Sequence, residues 1–188
     1  MRLFVAADLP RPVRDRLAAI QARAREAPLP MRWVRPEGIH LTFKFLGEVA
    51  PDRLAAIREV LEGARHGLRP FRLIAAGAGT FPDRGQPHVV WVGIEGELEA
   101  ALRLQGAIDS ALATLGFASE ERPFHPHLTI GRVKGPPHGD WRSTLAQAAA
   151  GPPVAFEVGD FVLFESRHSP AGSTYFPLQR FVLDGAAA

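Results

Sequence analysis

The sequence of 188 residues contains no cysteine, which rules out disulfides and thiolate metal sites and leaves any catalysis to other side chains. Lysine is almost missing as well. Lys44 and Lys134 are the two lysines among 22 basic residues, and the rest are arginine. A planar guanidinium fork suits phosphate, although a GC-rich genome gives the same skew and is the simpler account. The formal net charge is only +2, which does not by itself argue for a nucleic-acid partner. No apolar run approaches a membrane span, and the apolar run at Met1–Leu9 is too short for a signal peptide. The chain is therefore expected to be cytoplasmic and to have no membrane contact. With 46% hydrophobic and 22% charged residues, it has the composition of an ordinary globular protein that buries a real core.

What the chain does have is a repeated motif. Ile39-His40-Leu41-Thr42-Phe43 reappears as His127-Leu128-Thr129-Ile130, and both the histidines and the threonines are 87 residues apart. The same interval separates Phe4 from Trp91 in the strand-like runs upstream. Successive side chains of a strand point to opposite faces, so His40 shares a face with Thr42 and His127 with Thr129, while Leu41, Phe43, Leu128 and Ile130 face the other way. Each copy thus presents one imidazole beside one hydroxyl. Two imidazoles suffice for chemistry that takes a proton on one side of a group and gives one on the other near neutral pH. A lone His-x-Thr is more often a polar outer face, and it is the pairing that points to a site.

Apolar periodicity predicts a strand at Arg2–Ala7 and a helix from Pro10 to about Arg25, stopped by Pro28 and Pro30. A short extended piece at Met31–Val34, the first motif strand at Gly38–Leu46 and a helix from Pro51 to about Arg65 follow. Further strands are expected at Phe71–Ala76 and His88–Ile94, flanking a turn at Pro82–Gly85. The second half repeats the order, with a helix at Gly96–Leu115, the second motif strand at His125–Val133 and a helix at Trp141–Ala150. Val154–Phe164 reads as one strand paired with Ser173–Leu183 across the turn at residues 169–172, Arg167–Gly172 reads as a loop, and residues 186–188 read as a frayed tail. The expected fold is α+β, a single domain of two pseudo-symmetric lobes (halves about 1–86 and 87–188), each an antiparallel sheet flanked by helices, with the motif strands meeting at a central cleft.

The paired motifs, the opening Arg-Leu-Phe-Val-Ala, the Phe-Leu-Gly after the first motif and the Arg-Pro-Phe-His-Pro-His leading into the second resemble the 2H phosphoesterase superfamily. Within it the chain is most similar to the LigT-like RNA 2′,3′-cyclic phosphodiesterases, also called 2′-5′ RNA ligases. The resemblance covers nearly the whole chain. It implies a metal-independent enzyme, without cofactor, that opens a 2′,3′-cyclic phosphate at an RNA end and leaves a 2′-phosphomonoester. It also implies that His127 is the base acting on water and His40 the acid protonating the departing 3′ oxygen.

In-line opening of a cyclic phosphodiester requires one neutral and one protonated histidine on opposite sides of phosphorus, and the residues alone do not rank the two. Thr42 and Thr129 would donate to the non-bridging oxygens. The resemblance also implies a role for Arg132, since the family commonly carries an arginine five residues after the second histidine; its fork suits the extra charge of the transition state, but strict alternation puts it on the wrong face unless a bulge or the strand end intervenes near Gly131. Lys44 has the correct parity for a phosphate contact and equally reads as a solvated lysine. His125 reads as orienting or exposed, His66 as a helix-end residue, His88 and His138 as exposed, and His168 with Arg167 as a loop bordering the RNA. Trp33 and Phe81 are loop aromatics that suit base stacking or plain packing. The expected partner is RNA with a 2′,3′-cyclic phosphate end, and the expected state a monomer. Two further readings stay open: a zinc site on His40, His125 and His127, and a non-catalytic RNA-binding module. The same residues would also catalyse the reverse reaction, 2′-5′ ligation, by microscopic reversibility.

Overall fold

A computed structural model describes residues 1–26, 29–169 and 172–185. Pro28, the tip of the turn at residues 170–171 and the tail at 186–188 lie outside the described residues. The order is β1 (Arg2–Ala7), α1 (Arg11–Ala24), β2 (Met31–Trp33), β3 (Leu41–Glu48), α2 (Leu54–Ala64), β4 (Phe71–Phe81), β5 (Val89–Gly96), α3 (Leu98–Ala113), β6 (His127–Val133), α4 (Trp141–Ala149), β7 (Val154–Val158), β8 (Asp160–Ser169) and β9 (Gly172–Val182). Short 3-10 turns at Pro36–Gly38 and Pro51–Arg53 precede β3 and α2.

The strands form two antiparallel sheets, β3-β1-β8-β9 and β2-β6-β5-β4-β7. Helices cover one face of each sheet because their apolar residues recur at three- and four-residue spacing: Val13, Leu17, Ile20 and Ala24 in α1, and Ala101, Leu104, Ile108 and Leu112 in α3;. These stripes and the helix-facing strand residues form one continuous core. The opposite face of the first sheet carries a separate small cluster of Phe4, Ala6, Val162, Phe164 and Tyr175.

The sheets do not coincide with the sequence halves. β4, from the first half, pairs with β5 in the second sheet, and β8, from the second half, pairs with β1 in the first. Each sheet takes two strands from the other half, β8 and β9 in the first and β2 and β4 in the second. Val154–Phe164, expected as one strand, is two: β7 lies beside β4, and the chain crosses at Gly159 to the other sheet as β8. The run gave no warning because β8 is a central strand with buried residues on both faces, so its apolar pattern continues that of β7;. β4 runs past Ala76 to Phe81, since Gly79 is there to admit the Trp91 ring, which a Cβ would approach to 2.4 Å. Arg167 and His168 belong to β8 and not to a loop.

Candidate active site

β3 is the edge strand of the first sheet and β6 lies next to the edge of the second, and the two are in contact. Both motifs therefore sit at the seam between the sheets. His40 stacks on Phe4 with ring centroids 4.6 Å apart and meets Tyr175 edge-on at 5.1 Å. His127 meets Phe81 edge-on at 5.0 Å and tilts toward Trp91 at 6.4 Å. Each ring is also tied to backbone two residues upstream. His127 Nδ1 lies 2.8 Å from the His125 carbonyl oxygen, and His40 is hydrogen-bonded to the Gly38 backbone. A carbonyl only accepts, so Nδ1 of His127 carries the proton and Nε2 is left for the cleft.

The two rings differ electrostatically. Burial among Phe4, Phe164 and Tyr175 lowers the pKa of His40 to about 4, and the Gly38 bond and the charge of Asp8 offset only part of this;. His40 is therefore neutral at neutral pH. Thr42 and Thr129 are half-buried on the cleft face. Among the described residues neither hydroxyl has a hydrogen-bond partner, so both are available to a ligand.

Beyond each threonine the alternation breaks. Thr42 pairs with Ala6 but Lys44 pairs with Val5, leaving Phe43 as an extra residue. Thr129 pairs with Trp91 but Gly131 pairs with Val90, leaving Ile130 extra. Val5 and Val90 are core residues, so the fourth residue after each histidine turns inward and the fifth turns to the cleft. This bulge puts Arg132 on the face of His127 and Thr129. It also overturns the parity argument for Lys44, whose side chain is buried between β3 and α3, where it donates to Asp109 and to the Ala118 carbonyl oxygen at 2.7 Å. Burial works to raise the Asp109 pKa, but the hydrogen bond and charge of Lys44, with bonds from Ser119 and Glu120, hold it below the usual carboxylate value. Lys44 is a structural strut with no free ammonium for phosphate.

The same pairing corrects the upstream interval. Trp91 stands opposite Thr129 as Ala6 stands opposite Thr42, so Trp91 is the counterpart of Ala6 and not of Phe4.

Polar side chains from the helices hold both bulges. Buried Gln21 of α1 donates to the carbonyl oxygens of Ile130, at 2.8 Å, and Val34, at 2.6 Å. Asp109 of α3 does the equivalent work at β3 through Lys44. In each case the helix comes from the half that does not supply the bulge.

Two cleft residues escaped the sequence reading. Phe45, 64% exposed, is the counterpart of Arg132 and faces the cleft beside Phe4. Its signal was the same five-residue interval that singled out Arg132. Arg32 of β2 stands directly opposite Arg132, and neither has a carboxylate partner among the described residues. Like charges placed opposite each other repel, an arrangement that an anion between them relieves. Of the other candidates, Phe81 lines the site, whereas Trp33 packs against the core with Arg25 over its ring at 5.3 Å. His125 contributes its carbonyl and not its ring; His66, His88 and His138 are exposed. Among the described residues no group of three His, Asp or Glu side chains is arranged to hold a metal ion.

Comparison with known proteins follows the same lines. The family model for LigT like phosphoesterases matches the chain twice, over residues 7–91 and 92–175. The RNA 2′,3′-cyclic phosphodiesterase of Methanothermobacter thermautotrophicus is 35% identical over 184 residues, 97% of this chain and 99% of that protein. The enzyme of the same name from Archaeoglobus fulgidus is 36% identical over 183 residues, 96% of this chain and 99% of that protein. The crystal structure of TT0787 of Thermus thermophilus matches with a TM-score of 0.80 and 30% identity over the whole of both chains. E. coli LigT complexed with 3′-AMP matches with a TM-score of 0.74 and 29% identity, covering 97% of this chain and 98% of that one.

Proposed function

The chain belongs to the LigT-like phosphoesterase family, and from that premise and the geometry of the cleft we propose that it hydrolyses RNA 2′,3′-cyclic phosphodiester ends to 2′-phosphomonoesters. One observation carries the reading: two imidazoles anchored to backbone and, without partners among the described residues, two threonine hydroxyls and the Arg132 guanidinium all belong to the same face of two strands that touch at the seam.

In this mechanism Nε2 of His127 takes a proton from water as it attacks phosphorus, and His40 protonates the departing 3′ oxygen on the opposite side. The Thr42 and Thr129 hydroxyls donate to the non-bridging oxygens, and the Arg132 fork meets the added charge of the transition state. His40 on its own is neutral at neutral pH, so its proton arrives with the anionic substrate, whose charge raises the affinity of the buried ring for it;. Phe45 offers a flat apolar face to the terminal base. All four motif residues come from one chain, which supports action as a monomer. No helix among the described residues is long and apolar enough to cross a membrane, and the cytoplasm is the compartment we assign.

The test is incubation of an RNA bearing a 2′,3′-cyclic phosphate with the protein in excess chelator, followed by identification of the product isomer. A 2′-phosphate formed in chelator is the expected result. A 3′-phosphate would contradict the assigned polarity, and loss of activity restored by zinc would point to a metal site. Retained binding without turnover would leave only an RNA-binding module, and joining to a 5′-hydroxyl RNA in preference to hydrolysis would make ligation the main activity.

A further inference from the structure

The cleft face of the first sheet continues beyond the catalytic residues into a second group of side chains. Arg2 stands opposite Ser166, Ser166 opposite Tyr175, and His168 opposite Ser173, so all five share the face of Phe4 and Phe164. Arg2 Nη1 lies 2.8 Å from His168 Nε2, and Ser173 Oγ lies 2.7 Å from His168 Nδ1. A guanidinium only donates, so Nε2 accepts, Nδ1 carries the proton and donates to Ser173, and the Ser173 hydroxyl hydrogen is left free. Arg2 has no carboxylate partner among the described residues. The histidine therefore fixes a guanidinium and a hydroxyl that both still have donors to spare, and the carboxylate opposite Arg2 on β3, Glu48, is paired with the amino terminus at 3.6 Å;.

Its position relates it to the site. Tyr175, which touches His40, is two residues from Ser173 on β9, about 7 Å along a strand. From the other sheet, Arg32, opposite Arg132, reaches the start of β9: its Nη2 would lie 3.5 Å from a Cβ built on Gly172. Cationic side chains thus run from Arg132 through Arg32 to Arg2 along one surface.

We propose that Arg2, His168 and Ser173 form a subsite for a backbone phosphodiester of the RNA on the 5′ side of the reacting nucleotide, with Arg32 bridging it to the catalytic phosphate. This rests on the hydrolytic reading above and deepens it by naming the residues that hold the strand 5′ of the reacting nucleotide, which a cyclic mononucleotide does not reach. Arg2 and Ser173 contact the phosphate, and His168 is a positioning residue.

The experiment compares steady-state hydrolysis of a 2′,3′-cyclic mononucleotide, a short RNA with the same cyclic end, and that RNA with neutral methylphosphonates in place of its internal phosphodiesters. The charged RNA should show a KM about tenfold below the other two, the size of one charge-assisted hydrogen bond. Arg2→Ala and His168→Ala should erase that advantage while leaving mononucleotide turnover unchanged, and His168→Gln, which keeps an acceptor for Arg2, should restore part of it. Equal KM for charged and neutral RNA, or parallel loss on all three substrates in the variants, overturns the subsite and leaves the hydrolytic reading standing if the mononucleotide is still cleaved by the wild type. No turnover of any substrate overturns both.

Discussion

Phe45 and Arg132 are structural counterparts: each lies five residues after a motif histidine, and each is turned to the cleft by one extra residue in the strand just before it. The backbone of the cleft is thus nearly two-fold, while its chemistry is not. One side offers an aromatic face suited to a base, and the other a charged fork suited to phosphate.

Replacement of these two should separate binding from chemistry. Arg132→Ala is expected to lower kcat by about 10²-fold or more, the usual cost of losing a preorganised donor to transition-state charge. Arg132→Lys should recover only part, since an ammonium lacks the fork. Phe45→Ala should raise KM about tenfold, within the range for loss of one stacked base, and Phe45→Trp should preserve it. Steady-state kinetics on a cyclic-ended RNA checks all four. Equal effects of Arg132→Ala and Phe45→Ala on kcat would remove the division of labour.

If His40 is the acid, its burial makes substrate binding a protonation event, because the ring is neutral beforehand at neutral pH. Cyclic phosphodiesters do not titrate between pH 5 and 7, so in an inactive His127→Ala protein any proton taken up on binding a cyclic nucleotide belongs to the protein. Calorimetry in buffers of different ionisation enthalpy should find uptake that grows as pH falls from 7 toward 5 and vanishes when His40 is also replaced. Absence of uptake would remove His40 as the acid. Stability should carry the same signature. Because the folded pKa of about 4 lies below the ordinary 6.5, the native state resists protonation that the unfolded chain accepts. The stability this group contributes is complete above pH 6.5 and is lost as pH falls through 4, up to about 3 kcal/mol. His40→Phe should flatten that part of the acid limb in denaturant titrations.

The bulges explain what could be read from the sequence and what could not. Alternation holds for the three residues from each histidine to its threonine, and there the sequence reading placed every side chain on its observed face;. One residue later the bulge reverses the parity, which is why Lys44 looked available and Arg132 looked misplaced. An inserted residue such as Phe43 or Ile130 is apolar and buried like its neighbours and carries no local mark. Helix positions followed from their apolar stripes, whereas the exchange of β4 and β8 between sheets is a long-range pairing that strand-like runs do not encode. The Phe4–Trp91 interval was a coincidence of aromatic residues in strands that do superpose, but in a register shifted by two.

Polar struts behind the bulges should matter to stability first. Asp109→Leu leaves the Lys44 ammonium buried without its carboxylate, a loss of about 3–5 kcal/mol;. Adding Lys44→Met should recover most of it, and the double variant should retain turnover, because Lys44 does not reach the cleft. Gln21→Leu strips a buried donor from the Ile130 and Val34 carbonyls and should cost about 1–3 kcal/mol;. It should also lower kcat through Arg132, which the Ile130 bulge aims. Urea titration together with kinetics of the folded protein separates the two effects. A Lys44→Met/Asp109→Leu protein that is stable but inactive would return Lys44 to the site.

The two-fold seam makes its strongest demand on the histidines themselves. Attacking and leaving oxygens stand on opposite sides of phosphorus, so neither imidazole replaces the other, although both hang from equivalent strands with the same upstream backbone tether. His40→Ala and His127→Ala should each lower turnover about 10²-fold or more, the usual size of general acid-base assistance. The double variant should be little worse than the poorer single one, since groups acting in one concerted displacement are not additive. Thr42→Ala and Thr129→Ala should cost less, each removing one neutral donor among several. His88→Ala and His138→Ala, both at exposed positions, serve as controls and should leave turnover intact. Retention of full activity by either motif variant in a folded protein would reduce one copy of the motif to a relic of duplication, and two independent losses that multiply in the double variant would mean that the histidines act in separate steps rather than on opposite sides of one displacement.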